Sequence, residues 1–242
     1  SGTAQNHILD PGNPAVVKQI KKIIGEIVNN YDLDGIVFDD YFYIDNTPTT
    51  LDQTSQNLYK SNKVALSDWK SANVNSMVAA AYDTIQAIKP FVKFGVSPRG
   101  IWSTSATAAT KYGVSLPSGI TGNDNYNVIW CDPLAWLLAG KVDFVSPQLY
   151  WPTSSTGQDF DVLDPWWYSI ISTKYSKHFY CSHDISGVTA SSYAPKKIKV
   201  SPNIELPSEA FSNIERNSIQ KIKNATITQD ELGLQINRNR TT

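Results

Sequence analysis

The stretch LDGIVFDDY, residues 33–41, decides the fold, because a short apolar run ends directly in two carboxylates. This run is too short for a helix and too continuously apolar for an exposed strand, which is typical of a buried strand in a parallel sheet. In barrels built on parallel strands, the reactive side chains come from the carboxyl ends of the strands. We therefore predict a parallel α/β sheet with Asp39 and Asp40 at its functional edge.

A helix is predicted immediately before this strand. Residues 14–30 carry apolar side chains at helical spacing, which indicates an amphipathic helix. Pro14 suits the first helical turn, and the side chain of Asn13 suits the N-cap. A helix followed by a buried strand is one unit of an α/β fold.

The same order repeats along the chain. Short apolar runs predict further strands at residues 91–97, 142–146 and 179–181. Helices are predicted at residues 67–89, 132–139, 164–176 and 207–223. The segments 44–66 and 98–130 show little periodicity and are predicted to be long loops.

Repeated strand–helix units with polar side chains at the strand ends predict a (β/α) barrel. A doubly wound sheet is the alternative, but no glycine-rich phosphate-binding turn follows the first strand. A complete barrel needs eight strands in about 250 residues, whereas four strands and a short candidate at residues 7–9 are predicted. Three explanations are open: strands are hidden in the loops and tail, the chain is a fragment, or two copies complete each other. We expect one truncated or self-associating barrel domain over residues 1–242.

The composition is that of a globular protein, with 242 residues, a formal net charge of −1, 41% hydrophobic and 18% charged residues. There is no apolar run of about 18 residues, so no transmembrane span is expected. Lys and Arg do not cluster around aromatic residues, which argues against nucleic acid as a partner. Cys131 and Cys181 are too few for a disulfide framework. The 7 Trp and 12 Tyr suit a carbohydrate-binding surface as well as a core.

Asp39 and Asp40 carry the strongest chemical signal. Adjacent residues of a regular strand point to opposite faces, so we expect one carboxylate to face the site and the other to be hydrogen-bonded within the wall. A carboxyl group at a strand end between apolar walls tends to have a raised pKa and can act as a general acid. The alternative is a pair that caps a helix or binds a structural cation.

Other side chains give weaker signals. None of the glutamates ends a predicted strand, so acid chemistry must come from aspartate, with Asp132 and Asp184 as further candidates. Asp132 directly precedes Pro133 and is interpreted as a helix N-cap. His183, Asp184 and Cys181 match no zinc-binding spacing, so neither a metal nor a cofactor is expected. Among the tryptophans, Trp102 and Trp151 follow strands and are predicted to stack against sugars.

Six blocks in order make the sequence similar to a known family. It resembles the glycosyl-hydrolase-like family ten, which comprises bacterial envelope and secreted TIM-barrel proteins. The resemblance covers roughly residues 7–185. The matching blocks are LDPGNPAV (9–16), YDLDGIVFDDYFY (31–43), DWKSANVN (68–75), IKPFVKFGVSPRGIW (88–102), VDFVSPQLYW (142–151) and DPWWYSII (164–171).

The resemblance implies hydrolysis of a glycosidic bond in an amino-sugar glycan, with peptidoglycan strands stripped of their peptides as the leading substrate. It also implies an extracellular or cell-envelope location, although no signal peptide is visible in this chain. Asp39 and Asp40 would be catalytic at the end of the fourth barrel strand, and Tyr41 stands where chitinases keep their acid glutamate. The implied substrate-binding residues are Tyr41, Tyr43, Trp69, Asn73, Ser97, Arg99, Trp102, Gln148, Tyr150 and Trp151.

Two questions stay open at this stage. Either Asp40 protonates the leaving oxygen while Asp39 supports it, or the roles are reversed, and an N-acetyl group of the substrate could serve as the nucleophile. Family members carry about three strands before the LDPGNP block and an eighth after the last helix, so an incomplete barrel is expected here. The rival interpretations are a non-catalytic glycan-binding module and a barrel fragment that needs a partner chain.

Overall fold

The computed structural model describes residues 8–45, 48–151 and 155–184, which belong to one compact unit. The helices are α1 Pro14–Asn30, α2 Gln53–Tyr59, α3 Leu66–Ile88, α4 Ala106–Tyr112, α5 Asn125–Val128, α6 Pro133–Leu138 and α7 Phe160–Tyr168, which a π-helical segment, Ser169–Lys174, continues. The strands are β1 Gly35–Phe38, β2 Lys93–Val96, β3 Phe144–Val145 and β4 His178–Phe179.

The strands form one parallel sheet in the order β1-β2-β3-β4. Ile36 pairs with Phe94, and Val96 pairs with Val145. Because all strands run in the same direction, their carboxyl ends meet at one edge, as the sequence predicted. The parallel α/β architecture is thus confirmed, while the described residues form a four-stranded sheet and do not establish an eight-stranded barrel.

Helix α1 has the bounds that its periodicity predicts. The backbone N–H of Ala15 donates to Oδ1 of Asn13 at 3.0 Å, so Asn13 is the N-cap, and Pro14 opens the first turn. Ile24 and Val28 are buried on the face of α1 that packs against α3. The apolar face of α1 therefore packs against α3 and contributes to the core.

The core lies between the sheet and helices α3, α6 and the end of α7. Phe94 on β2 is fully buried, and its ring meets Phe38 edge-to-face at 5.0 Å. Other large buried side chains of this core are Ile85, Leu134, Trp136, Trp167 and Ile171. The core fixes the ends of the three neighbouring strands β1, β2 and β3.

Several sequence expectations require correction. The segments 44–66 and 98–130 contain helices α2, α4 and α5 and are not loops throughout. Helix α4 carries mainly small residues and is defined by its ends, with Ser105 as N-cap and left-handed Gly113 after the last turn. The strand expected at residues 7–9 is not seen at residues 8 and 9. The helix expected at 207–223 lies outside the described residues.

A membrane-crossing helix would have to be longer and more apolar than any helix in the described part of the chain.

Two glycine substitutions test the packing of this fold. A methyl group at Gly95 on β2 would overlap the ring of Phe144, so Gly95→Ala should lower the free energy of unfolding by about 1–3 kcal/mol. The control is Gly25→Ala in α1, where the nearest atom, Cδ1 of Ile88, would lie at 3.5 Å. It should stabilise the helix by about 0.5–1 kcal/mol. Urea unfolding of both variants measures the difference, and a fully stable Gly95→Ala variant would contradict this packing.

Candidate active site

Three neighbouring strands deliver polar side chains to one edge of the sheet. Asp39 and Asp40 follow β1, Arg99 follows β2 and Gln148 follows β3. Isolated bridges join Arg99 to Gln148 and Gln148 to Ser182, so the parallel pairing continues beyond the named strands. At this edge the side chains of Asp39 and Gln148, which are more than 100 positions apart in the sequence, come into direct contact.

The side-chain amide of Gln148 links both carboxylates. Its Nε2 donates to Oδ1 of Asp39 at 2.7 Å, to Oδ1 of Asp40 at 3.2 Å and to the carbonyl of Ser97 at 3.0 Å. The alternation of side chains between the two faces of a strand does not apply to Asp39 and Asp40, because β1 ends at Phe38 and both residues follow it. The two side chains nevertheless differ in their exposure to solvent, since Asp40 is buried whereas Asp39 is exposed.

Arg99 holds the buried carboxylate. Its Nε–H donates to Oδ2 of Asp40 at 2.9 Å, and its Nη1 donates to Oδ1 of Asp45 at 2.6 Å. Asp40 is 5% exposed, so the guanidinium compensates a carboxylate that has little access to water. The sequence offered no signal for Asp45, which lies in an irregular segment and not at a strand end.

The backbone around Arg99 is fixed by Asn125, a second residue that sequence reasoning missed. Asn125 is fully buried, and its Oδ1 accepts from the backbone N–H of Arg99 at 3.1 Å. Its Nδ2 donates to the carbonyls of Arg99 and Ile101 at 2.7 and 2.9 Å. One buried amide therefore sets the course of residues 99–101 along the site.

Burial and neighbouring charges shift the pKa values of Asp39 and Tyr150. Partial burial raises the pKa of Asp39 above the usual aspartate range, and the negative charge of Asp40 raises it further. The backbone N–H of Asp40 and the amide of Gln148 act in the opposite direction. Burial and the nearby charges of Asp39, Asp40 and Asp184 also raise the pKa of Tyr150, which keeps its hydroxyl protonated.

A pocket opens beside the carboxylates, which we call the Arg99 pocket. Its volume is about 270 Å³. It is lined by Arg99, Gly100, Ile101, Asn123, Gln148, Tyr150, Trp151 and Gln158. A methyl group at Gly100 would lie 2.5 Å from Cζ3 of Trp151 and 2.6 Å from the carbonyl of Gln148, so glycine is needed for the ring to pack here. The structure thus brings together four of the predicted substrate-binding residues, namely Arg99, Gln148, Tyr150 and Trp151.

Trp102 and Trp69 belong to the core, which corrects their prediction as sugar-binding residues. Trp102 is 1% exposed, stacks on Trp166 and donates its Nε1–H to Asp132 at 3.2 Å. Trp69 is buried against Gly12, where its ring tip would meet any added methyl group. Trp102 follows a strand and Trp69 lies at the start of a helix, and neither sequence position indicates that the ring points into the core.

Tyr43 is also buried, as part of a cluster with Lys70, Asp52 and Trp130 that we call the Lys70 cluster. Nζ of Lys70 is 3.3 Å from Oδ2 of Asp52 and lies over the rings of Tyr43 and Trp130 at 4.7 and 4.4 Å. Asn73 lies within reach of Tyr43 on the same side. This burial removes Tyr43 from the surface that a sugar can contact and gives it a role in anchoring the segment after β1.

The remaining residues that the sequence singled out differ in their location and in their exposure to solvent. Tyr41 directly follows Asp40 and is 72% exposed. The hydroxyl of Ser97 lies 3.3 Å from that of Ser182 between strand ends. Asp132 is the N-cap of α6, as predicted, because it accepts from the backbone N–H of Ala135. In the described part of the chain, no three His, Cys, Asp or Glu side chains are grouped in a way that could hold a metal ion.

Comparison with known proteins places this chain in a family. The sequence model described as "Glycosyl hydrolase-like 10" matches residues 1–192. A protein named glycosyl hydrolase DigH from Escherichia coli K12 is 35% identical over 165 residues, which are 68% of this chain and 36% of the relative. Glycosyl hydrolase YngK from Bacillus subtilis 168 is 35% identical over 164 residues, 65% of this chain and 30% of the relative. The chain therefore spans about a third of the length of these curated relatives.

The Arg99–Asp40 contact can be tested by a double-mutant cycle. Arg99→Met leaves the carboxylate of Asp40 buried without its cation and should lower the free energy of unfolding by about 1–3 kcal/mol. Adding Asp40→Asn removes the stranded charge, so it should recover part of that loss. Lys141→Met is the control, because the Lys141–Asp83 pair is exposed and should contribute less than about 1 kcal/mol. Urea unfolding at neutral pH measures the parent chain, the single variants Arg99→Met and Asp40→Asn, the double variant and the control. No recovery in the double variant would argue against the pairing.

Proposed function

Because the chain belongs to the glycosyl hydrolase-like 10 family, we propose that it is a glycoside hydrolase that uses Asp39 and Asp40. The observation that carries this proposal is the single amide of Gln148 that contacts both carboxylates beside the Arg99 pocket. The proposed substrate is an amino-sugar polysaccharide, with peptide-free peptidoglycan strands first. The proposed place of action is the cell envelope or the extracellular space, where that polymer is found.

The two aspartates take different roles in this proposal. Asp40 accepts hydrogen bonds from Arg99 and Gln148 and pairs with the guanidinium, so it serves as the supporting negative charge. Asp39 is the more exposed of the two carboxyl groups, and its remaining burial raises its pKa, so we assign it the role of proton donor. Its O–H donates to the glycosidic oxygen as the bond from the anomeric carbon breaks, and the ionised Asp40 stabilises the positive charge that develops on the sugar.

The closeness of the two carboxylates limits the mechanism. Both Oδ1 atoms lie within 3.2 Å of the same nitrogen, whereas an inverting pair stands about 6.5–9.5 Å apart to admit a water. We infer that these two sequence neighbours act from one side of the sugar and do not flank it as a retaining pair about 5–5.5 Å apart does. This arrangement favours an N-acetyl group of the substrate as the nucleophile, which needs one strong acid and one supporting carboxylate.

We further propose that the sheet is part of a (β/α)8 barrel. Four parallel strands that present reactive side chains at their carboxyl ends correspond to half of that architecture. In the described part of the chain, β1 and β4 each pair on one side only, and Val37 on β1 is more than half exposed. A second copy or another segment of polypeptide would continue the sheet at these edges.

Product analysis tests the proposed hydrolysis. The chain is incubated with peptide-free peptidoglycan strands, and mass spectrometry should detect new oligosaccharides. Asp39→Asn removes the proton donor and should lower the rate by about 10²–10⁴-fold. Asp83→Asn is the matched control, because Asp83 forms an exposed ion pair with Lys141 and should leave the rate unchanged.

The same samples distinguish the rival functions. Glycan binding without products from the parent chain would indicate a binding module and contradict the proposed hydrolysis. Light scattering of the active sample shows whether the working species is the 26.8 kDa chain or a larger assembly.

The assignment of Asp39 as the acid predicts the alkaline limb of the pH profile. The value of kcat/KM should fall as the pH rises through the pKa of Asp39, because only the protonated form donates. Asp40→Asn removes a charge that raises this pKa, so the limb should move to lower pH. Gln148→Met removes a hydrogen bond that favours ionised Asp39, so the limb should move to higher pH. Initial rates across a pH series measure both, and shifts in the same direction would contradict the assignment.

A further inference from the structure

The Arg99 pocket adjoins the carboxylates directly. Arg99 and Gln148 line the pocket, and the same two side chains contact Asp40. Its volume of about 270 Å³ is at the lower end of the about 300–1,000 Å³ that is usual for ligand sites. A pocket of this size next to the proposed proton donor has room for part of one sugar unit and not for several.

The chemistry of its walls is that of an amide-binding site. Asn123, Gln148 and Gln158 supply three neutral amides, while Ile101 and Trp151 supply apolar surface. Because Nε2 of Gln148 already donates to the carboxylates, the amides of Asn123 and Gln158 are the ones placed to meet a ligand. Amide groups complement each other, since each offers N–H donors and a carbonyl acceptor.

Gln158 is held in place within the pocket wall. The hydroxyl of Ser155 donates to its Oε1 at 3.3 Å. Its Nε2 packs over Gly122, where an added methyl group would lie 3.0 Å away and where φ is +120°, a conformation that favours glycine. The amide is therefore oriented before any ligand arrives, which lowers the entropic cost of binding.

The charges around the pocket disfavour an acidic sugar. The guanidinium of Arg99 is already paired with Asp40 and Asp45, and Asp39 adds a third carboxylate at the same place. A carboxylate on the ligand would meet this cluster without an unpaired cation among the described pocket residues. Repulsion between like charges therefore weakens the binding of an acidic sugar relative to that of a neutral one.

We propose that the Arg99 pocket binds the acetamido group of a neutral N-acetylhexosamine unit on the leaving-group side of the scissile bond, with Asn123 and Gln158 as its specificity-determining residues. The acetamido group that acts as the nucleophile belongs to the unit on the other side of that bond. The inference rests on the proposed glycoside hydrolase function and adds which group of the sugar is recognised and by which side chains. The acetamido methyl packs against Ile101 and Trp151, and its N–H and carbonyl pair with the two amides. A glucan without this group leaves the amides of the pocket unpaired, which costs affinity.

Binding measured without turnover tests the inference. Isothermal titration calorimetry is performed on the Asp39→Asn protein with chitotetraose and with cellotetraose, which share the β-1,4 backbone and differ in the acetamido groups. Chitotetraose should bind about tenfold more tightly. Gln158→Leu and Asn123→Ala, each added to that protein, should reduce the ratio of the two affinities by about threefold or more.

The controls separate recognition from folding. Gln53→Leu changes an exposed glutamine on α2 and should leave the ratio unchanged. Asn123 is exposed, so Asn123→Ala tests the inference even if Gln158→Leu unfolds the loop, which a thermal melt detects. A chitotetraose preference that depends on the two amides supports the inference even if the parent chain forms no hydrolysis products. Equal affinities, no binding of chitotetraose, or a preference that survives both substitutions would overturn it, whatever the hydrolysis assay shows.

Discussion

The hydrogen bonds of the Gln148 amide are the constraint on which the site depends. Two carboxylates that follow each other at a strand end repel, and one of them is buried, so the pair persists only if donors compensate it. An amide nitrogen carries two hydrogens, yet Nε2 of Gln148 lies within 3.2 Å of Asp39, Asp40 and the carbonyl of Ser97. Three acceptors therefore share two hydrogens, and a proton on one carboxylate relieves that shortage. The exposed Asp39 is the carboxylate that can exchange this proton with a substrate.

The supporting contacts hold the site in its working geometry. Asn125 fixes the backbone from which Arg99 extends, and Asp45 holds the far end of the guanidinium. Asp45 belongs to the segment after β1, which the buried ion pair of Lys70 and Asp52 ties to helix α3. Positioning groups of this kind limit the movement of the charged side chains, so their orientation does not have to be acquired during the reaction.

The sequence was informative wherever a local pattern determines the structure. Periodicity and the Asn13–Pro14 pair predicted α1 to its final residues, and apolar runs located all four strands to within a few positions. It was uninformative wherever the outcome depends on contacts between distant segments. Trp102 follows a strand as Trp151 does, yet one ring points into the core and the other lines the Arg99 pocket. Asp45 and Asn125 act on the site through contacts with Arg99, which is 54 and 26 positions away, so no spacing rule could reveal them.

The position of the carboxylates within the sheet connects assembly with chemistry. Asp39 and Asp40 follow β1, an edge strand of the described sheet, while the Arg99 pocket lies over β2 and β3. The described residues thus form the floor of the site and one of its walls. Under the proposal that another strand continues the sheet at β1, that strand would bring its own carboxyl end beside Asp39 and form the opposite wall. Closing the site in this way would exclude water from Asp39 and raise its pKa further, since burial disfavours the ionised carboxylate. Completion of the sheet would then strengthen the proton donor as well as the fold.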